Sequence, residues 1–300
     1  QAQIARFLKH HDRLSRRYIR AQRRLIELLD EQKQALIQRA VTRGLHADAP
    51  LKDPGMERVG PIPEHWEVRR LKNVVHRIID TEHKTAPYYE DGRYLVVRTS
   101  NIRSGNLVLD DAKYTDEAGF REWTRRGVPS PGDIIFTREA PAGEVCLVPR
   151  NVPLCLGQRT VLFRVNRTRL YPRFGVFSIY GGAAARFIEL LSLGSTVAHF
   201  NMSDIGCIPM LVPPIEEQRQ IASFVERNSK QITTAIERAQ RQVDLIREYR
   251  SGLIADVVTG KLDVRGVPAP DLEPDADADD LDDLEQLDMF DDPEQKQATA

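Results

Sequence analysis

Apolar residues recur at steps of three and four along two stretches of this chain, residues 1–45 and 217–259. The second carries Ile221, Val225, Ile232, Ile236, Val243, Ile246, Leu253 and Val257; the first carries Ile4, Leu8, Ile19, Ile26, Leu29, Leu36 and Ala40. That period puts one apolar face on an α-helix. Neither stretch contains proline, and Gly252 is the only glycine away from their ends. Each predicts a helix of ~40 residues, roughly 60 Å long at 1.5 Å per residue. A narrow stripe on so long a helix needs a partner helix to cover it.

The two stretches are also copies of one another. A shift of 217 positions aligns them without a gap, matching Gln3, Ile4, Ala5 and Phe7 to Gln220, Ile221, Ala222 and Phe224. Leu28, Glu31, Leu36 and Ile37 fall on Leu245, Glu248, Leu253 and Ile254, and Val41, Thr42 and Leu45 on Val258, Thr259 and Leu262. An internal repeat of this length makes each helix the natural partner of the other. The expected architecture is one globular insert between two matched helices.

Between them the period changes. Residues 46–64, with Pro50, Pro54, Gly55, Gly60, Pro61 and Pro63, read as an ordered linker. Residues 65–212 read as a mixed α/β domain. Its strands are expected at 94–98, 133–137, 145–148, 160–165 and 208–212, with helices at 115–123 and 173–191. Pro213-Pro214 ends the domain, and Glu216-Glu217 sits where acidic residues favour a helix start. The second helix then occupies 213–262. Residues 263–300 are rich in Asp, Glu, Pro and Ala and are expected to be a disordered acidic tail.

Charge sharpens this division. The tail holds 14 acidic residues against Arg265 and Lys296, so the near-neutral chain has a body at about +11. Such a body suits a polyanionic partner, although arginines such as Arg16, Arg17, Arg20, Arg23 and Arg24 also serve simply to solvate a helix. The tail in turn could compete for a basic face. No apolar run is long enough to span a membrane. Cys146, Cys155 and Cys207 form no close pair, which fits a reducing cytoplasm. The chain starts inside a repeat and without Met, as a fragment would.

Catalytic patterns are missing. There is no phosphate-binding glycine loop and no dinucleotide fingerprint. The cysteines lie in apolar strand contexts, which suits buried thiols. Asp133 and Glu139 resemble a nuclease carboxylate pair, but Pro141 stands where the lysine would be; a turn cap and a surface charge fit better. Gly181-Gly182 reads as a turn or a close approach beside a helix. These residues argue against an enzyme.

Binding chemistry remains. Arg98, Thr99 and Asn101 follow a predicted strand, Arg138 follows another, and Gln158 and Arg159 open a third. Ser195, Thr196, His199 and Asn201 lie in a loop after the long domain helix. Arg pairs with guanine, Gln and Asn with adenine, and hydroxyls reach phosphates or base edges. Each residue alone has a structural explanation: an ion pair for Arg98, a turn for Asn101, a cap for Ser195 and Thr196. Their grouping at strand ends and loops of one basic domain favours a nucleic-acid partner.

Several segments resemble the specificity subunit of type I restriction–modification systems. Residues 213–221, Pro-Pro-Ile-Glu-Glu-Gln-Arg-Gln-Ile, are similar to the start of that family's conserved helix, and residues 251–262, ending Val-Thr-Gly-Lys-Leu, to its end. Ile62 to Val68 resembles the opening of a target-recognition domain, within which residues 98–102, 131–135 and 194–196 also look family-like. The resemblance implies two recognition domains per subunit, each followed by a conserved helix, with the helices pairing antiparallel as a coiled-coil spacer. This chain would then be the carboxy-terminal half: spacer helix, one recognition domain, spacer helix. The helix-pairing set would be Ile4, Leu8, Ile19, Ile26, Leu29, Leu36, Ile221, Val225, Ile232, Ile236, Val243, Ile246 and Leu253.

The resemblance further implies a subunit that carries no chemistry and reads one half of a bipartite site. It would scaffold modification and restriction subunits, which would bind S-adenosylmethionine, ATP and Mg; the chain itself would hold no cofactor or metal. The acidic tail departs from the family pattern. A coiled-coil protein-interaction module without sequence-specific DNA binding is the competing reading.

Overall fold

The structure, a computed structural model, describes residues 1–56, 59–192 and 199–268. The acidic tail expected from the sequence lies mostly outside the described residues. Residues 1–26 with 238–300 form one compact unit and residues 27–237 a second. Six α-helices are described: α1 (Ala2–Arg43), α2 (Glu117–Trp123), α3 (Pro172–Tyr180), α4 (Gly182–Ser192), α5 (Met202–Cys207) and α6 (Ile215–Val258). Both long helices predicted from the apolar stripes are therefore present. Among the described residues no single helix is long and apolar enough to cross a membrane.

In the first unit the start of α1 lies beside the end of α6. Phe7, Val257 and Val264 are buried together, with Ile4, Leu8 and Leu253 packed on them. Asp12 pairs with Arg250, and the Tyr18 hydroxyl donates to Gln242 Oε1 at 2.9 Å. Ile19, Ala239 and Val243 are also buried.

In the second unit the repeat serves a different purpose. Ile37, Ala40 and Val41 near the end of α1 share one core with Ile221, Ala222 and Val225 at the start of α6, and with the domain between them. Lys33 donates to Thr233 at 3.2 Å. Each unit thus joins the beginning of one copy to the end of the other. All 13 side chains expected to pair the helices are buried or half-buried. Ile221 and Val225, however, belong to the domain core rather than to a helix–helix seam alone.

The second unit holds every described strand. β1 (Leu51–Lys52) and β2 (Ile62–Pro63) form an antiparallel pair inside the stretch expected to be only a linker. Then come β3 (Glu67–Arg70), β4 (Val75–Asp80), β5 (Tyr94–Val97), β6 (Ile102–Arg103), β7 (Asn106–Leu107) and β8 (Lys113–Thr115). β9 (Ile134–Thr137), β10 (Val145–Leu147), β11 (Leu154–Leu156), β12 (Thr160–Val165) and β13 (Pro209–Val212) complete the set. One sheet has the order β10-β9-β12-β4 and is antiparallel throughout. A second, β11-β5-β8, is mixed, with β11 parallel to β5. β13 pairs with β3 and so closes the two ends of the domain on each other.

Two expectations need correction. β4 was not foreseen; its inner residues Val75 and Ile79 are separated by His76, Arg77 and a half-buried Ile78, so the alternation is weak. The helix expected over 173–191 is two helices, bent by 47° at Gly181. The reason is a close approach to α1: a Cβ on Gly181 would lie 2.6 Å from Val41 Cγ2. Gly182 has φ +64, a backbone region that favours glycine, and its N–H donates to Gln38 Oε1 at 2.8 Å.

The start of α6 fastens the domain. Glu217 accepts from the Trp66 indole at 3.1 Å and meets His65 Nε2 at 2.8 Å. Gly44, just after α1, is packed against the same carboxylate, where a Cβ would fall 3.0 Å from Glu217 Oε1. Next to it Gln218 is fully buried. Its carbonyl accepts from Tyr171 N–H, and its amide donates to the Arg169 and Pro213 carbonyls at 2.9 and 2.8 Å. Leucine at this position would fill the space but strand three backbone groups, each costing about 1–3 kcal/mol when buried without a partner. Gln218→Leu is therefore expected to lower the unfolding free energy by about 3 kcal/mol or more, read from the urea midpoint.

Candidate nucleic-acid interface

Four strand ends meet at one edge of the second unit. The Arg138 N–H donates to the Arg159 carbonyl at 2.8 Å, joining the end of β9 to the start of β12. Thr81, after β4, donates to the Gly157 and Thr160 carbonyls at 3.2 and 2.9 Å. Gly157 N–H donates to the Val97 carbonyl, which brings in the end of β5 and Arg98. The Phe200 N–H donates to the Arg138 carbonyl at 3.1 Å and adds the segment before α5. Arg98, Arg138, Gln158, Arg159 and His199, scattered over a hundred positions of sequence, are thus neighbours.

Their side chains have different duties. Arg138 is buried, donating through Nε to the Phe200 carbonyl (3.0 Å) and through Nη1 to Asp80 Oδ1 (3.1 Å), while Nη2 lies 3.3 Å from His199 Nε2. Guanidinium can only donate, so His199 Nε2 accepts and its hydrogen sits on Nδ1, which faces Glu139 Oε2 at 3.3 Å. Glu139 also pairs with Arg159, whose side chain is about half exposed. Arg159 has φ +70, a strained backbone for a residue with a side chain, in the turn that carries it out of the sheet. Gln158 is half-buried beside it.

Arg98 is held by Asp111 through both its carbonyl and its carboxylate. Asn101 is fully buried: its Oδ1 accepts from Arg98 N–H at 3.1 Å, and its Nδ2 donates to the Val108 carbonyl at 3.0 Å. Every strong hydrogen-bonding group of Asn101 is thus used in folding the turn, and Arg138 is likewise a structural bracket. Thr99 opens the 3₁₀ turn between them and is half-buried. Asn201 is exposed and caps α5 reciprocally with Asp204. Ser195 and Thr196 lie outside the described residues.

The sequence reading missed the residues that hold this edge in place. Asp80 anchors Arg138 and His83, and Glu82 anchors Arg125 and Arg126. Arg126 also donates to the Thr81 carbonyl at 3.0 Å. The adjacent arginines after α2 were the available signal. The edge therefore offers guanidinium and imidazole donors, most of them oriented by a carboxylate. Such a surface suits an anionic, hydrogen-bond-accepting partner.

Among the described residues no three His, Cys, Asp or Glu side chains are grouped to hold a metal. Asp133 is buried, accepts from the Ser130 N–H and pairs with Arg164, so it caps a turn; burial pushes its carboxyl above the ordinary range. Burial also pushes the Cys146 and Cys155 thiols up to about 12. In the native protein a thiol reagent at mildly alkaline pH is expected to titrate Cys207 alone, with all three thiols reacting once the chain is unfolded; native reaction at Cys146 or Cys155 would contradict this packing.

Residues 63–243 match the family profile described as type I restriction modification DNA specificity domain. A protein of Methanocaldococcus jannaschii assigned as the specificity subunit of the type I restriction enzyme MjaX is 26% identical over 267 residues, covering 88% of this chain and 58% of that protein. The MjaVIII specificity subunit of the same organism is 23% identical, covering 89% of this chain and 61% of its own length. The chain thus spans about three-fifths of these relatives. A solved structure concerned with complex assembly and conformational transition of the type I R-M system shares the fold, with a TM-score of 0.57 at 18% identity, over 86% of this chain and 60% of that one.

Proposed function

The chain belongs to the family of type I restriction modification DNA specificity domains, and from that premise we propose that it reads one half of a bipartite DNA site. In this reading residues 65–212 are the recognition domain, and residues 1–45 and 213–262 are spacer helices paired as an antiparallel coiled coil. The observation that carries the reading is the convergence of Arg98, Gln158, Arg159 and His199 at one sheet edge, with Arg125 and Arg126 beside them. Arg159 and Gln158 would contact base edges in the major groove. Arg98, Arg125, Arg126, Thr99 and Asn201 would meet phosphates, and Arg138 and Asn101 would hold the others in register. Specificity subunits are the non-catalytic components of type I systems, and the relatives carry that name. The methylation and cleavage chemistry, with S-adenosylmethionine, ATP and Mg, would then reside in modification and restriction subunits, in the cytoplasm.

The ion pairs within the edge set a condition on this function. Each exposed arginine is already matched to a carboxylate, so DNA has to exchange one anionic partner for another. That exchange costs part of the affinity, and the counterions released from each neutralised phosphate still make binding fall as salt rises. Selection from a random duplex pool, with a modification subunit present, is expected to enrich a motif of ~3–5 base pairs. Arg159→Ala is expected to relax the choice at one position and cost about 1–3 kcal/mol there. Enrichment that is indifferent to Arg159, Arg98 and Gln158 would defeat the assignment of this edge.

Partner docking has its own support. In the first unit Leu14, Tyr18, Leu245 and Tyr249 are all 40% exposed or more. Each pair stands four residues apart on its own helix, and exposed apolar side chains at that spacing are a surface that a protein partner can cover. We assign them to the modification subunit. Leu245→Asp is expected to abolish co-purification with that subunit while leaving the helix content by circular dichroism unchanged.

A further inference from the structure

The end of the four-stranded sheet away from Arg138 and Arg159 opens into a cavity of about 540 Å³, lined by Arg150, Arg167, Arg173 and Arg219. Arg150 follows β10, Arg167 follows β12, and Arg173 and Arg219 stand in the first turns of α3 and α6. With strands of four to six residues, this cavity is roughly 13–20 Å from the nucleic-acid edge at ~3.3 Å per residue. The two sites are separate.

The four arginines give this hollow a cationic lining that is only partly neutralised. No carboxylate lines the cavity among the described residues. Arg173 is neutralised by Glu226 at 2.6 Å, and Arg219 stacks 5.1 Å from the Tyr171 ring centroid with the exposed Glu216 only at 3.8 Å. Among the described residues neither Arg150 nor Arg167 forms a direct ion pair; Arg167 donates to the Pro131 carbonyl and feels the buried Asp133 carboxylate only at longer range. The remaining wall is apolar, formed by Leu147, Pro149 and Tyr171. Planar forked donors suit phosphate oxygens, and an apolar wall suits a body attached to them. The volume is that of a small-molecule site. Arg150 and Arg167 are exposed at the rim of the hollow, so a duplex backbone is the competing occupant that the test has to separate.

We propose that this cavity binds a nucleoside phosphate. Arg150 and Arg167 hold the phosphate oxygens, and the base lies against the wall of Leu147 and Pro149. The site is independent of DNA reading and gives the domain a second, small ligand.

The test is calorimetric titration of the whole chain with ADP and with inorganic pyrophosphate, alongside a duplex-binding measurement. The variants are Arg150→Ala and the double variant R150A/R167A, with the urea midpoint as the check on folding. The expected result is ADP binding tighter than pyrophosphate, at least about tenfold weaker in the double variant, where two charge-assisted bonds are lost. Duplex affinity and its salt dependence stay at the wild-type values. No heat with ADP, equal ADP affinity in the double variant, or pyrophosphate binding as tightly as ADP would each overturn the proposal. A fall in duplex affinity in the variants without ADP binding to the parent chain would instead assign the arginines to the DNA backbone, leaving the strand-end edge untouched.

Discussion

Two neighbouring side chains at the start of α6 decide how the recognition domain is held. Glu217 gathers Trp66, His65 and the glycine turn after α1, while Gln218 binds the backbone on either side of it. Trp66 is fully buried, so its indole N–H needs an acceptor, and Glu217 is that acceptor. The first residue pair of the domain, its last turn and the end of the preceding helix therefore depend on one carboxylate and one amide. The β13–β3 pairing repeats the same closure in backbone hydrogen bonds. Because the domain's two ends are fixed side by side, the strand ends that carry its polar side chains stand on a rigid base.

The internal repeat has a related physical meaning. Equivalent positions such as Leu8 and Val225 have the same helical environment but different neighbours: Phe7 and Val257 in one unit, the domain core in the other. Similar sequence suffices because both tasks demand an apolar face at three- and four-residue spacing. The partner that covers the face is a tertiary fact, which periodicity does not contain.

That limit runs through the whole chain. The long helices and the strand Thr160–Val165 were legible because their signals are local: an uninterrupted stripe, and a run of Val, Leu and Phe. The break at Gly181 was not, since it answers to Val41 and Thr42 some 140 positions away. At the candidate interface, residue type picked out strand ends that the fold brings together, but not the roles of their side chains. Asn101 and Arg138 have the donors that DNA contact requires, yet burial turns those donors inward to fasten a turn and a loop. Polar residues at strand ends are needed both to finish the sheet and to meet a ligand. Burial separates the two groups: Asn101 and Arg138 are enclosed, whereas Arg125, Arg126 and Arg159 keep much of their side chains in solvent.

The account rests on the claim that this strand-end edge is where duplex DNA lies. Amide hydrogen–deuterium exchange of the chain, with and without an enriched duplex, tests it most directly. The account predicts slowed exchange around residues 98–101, 137–139, 157–160 and 199–201 on adding DNA, lost at high salt. Exchange unchanged there, with protection confined to the long helices, would contradict it.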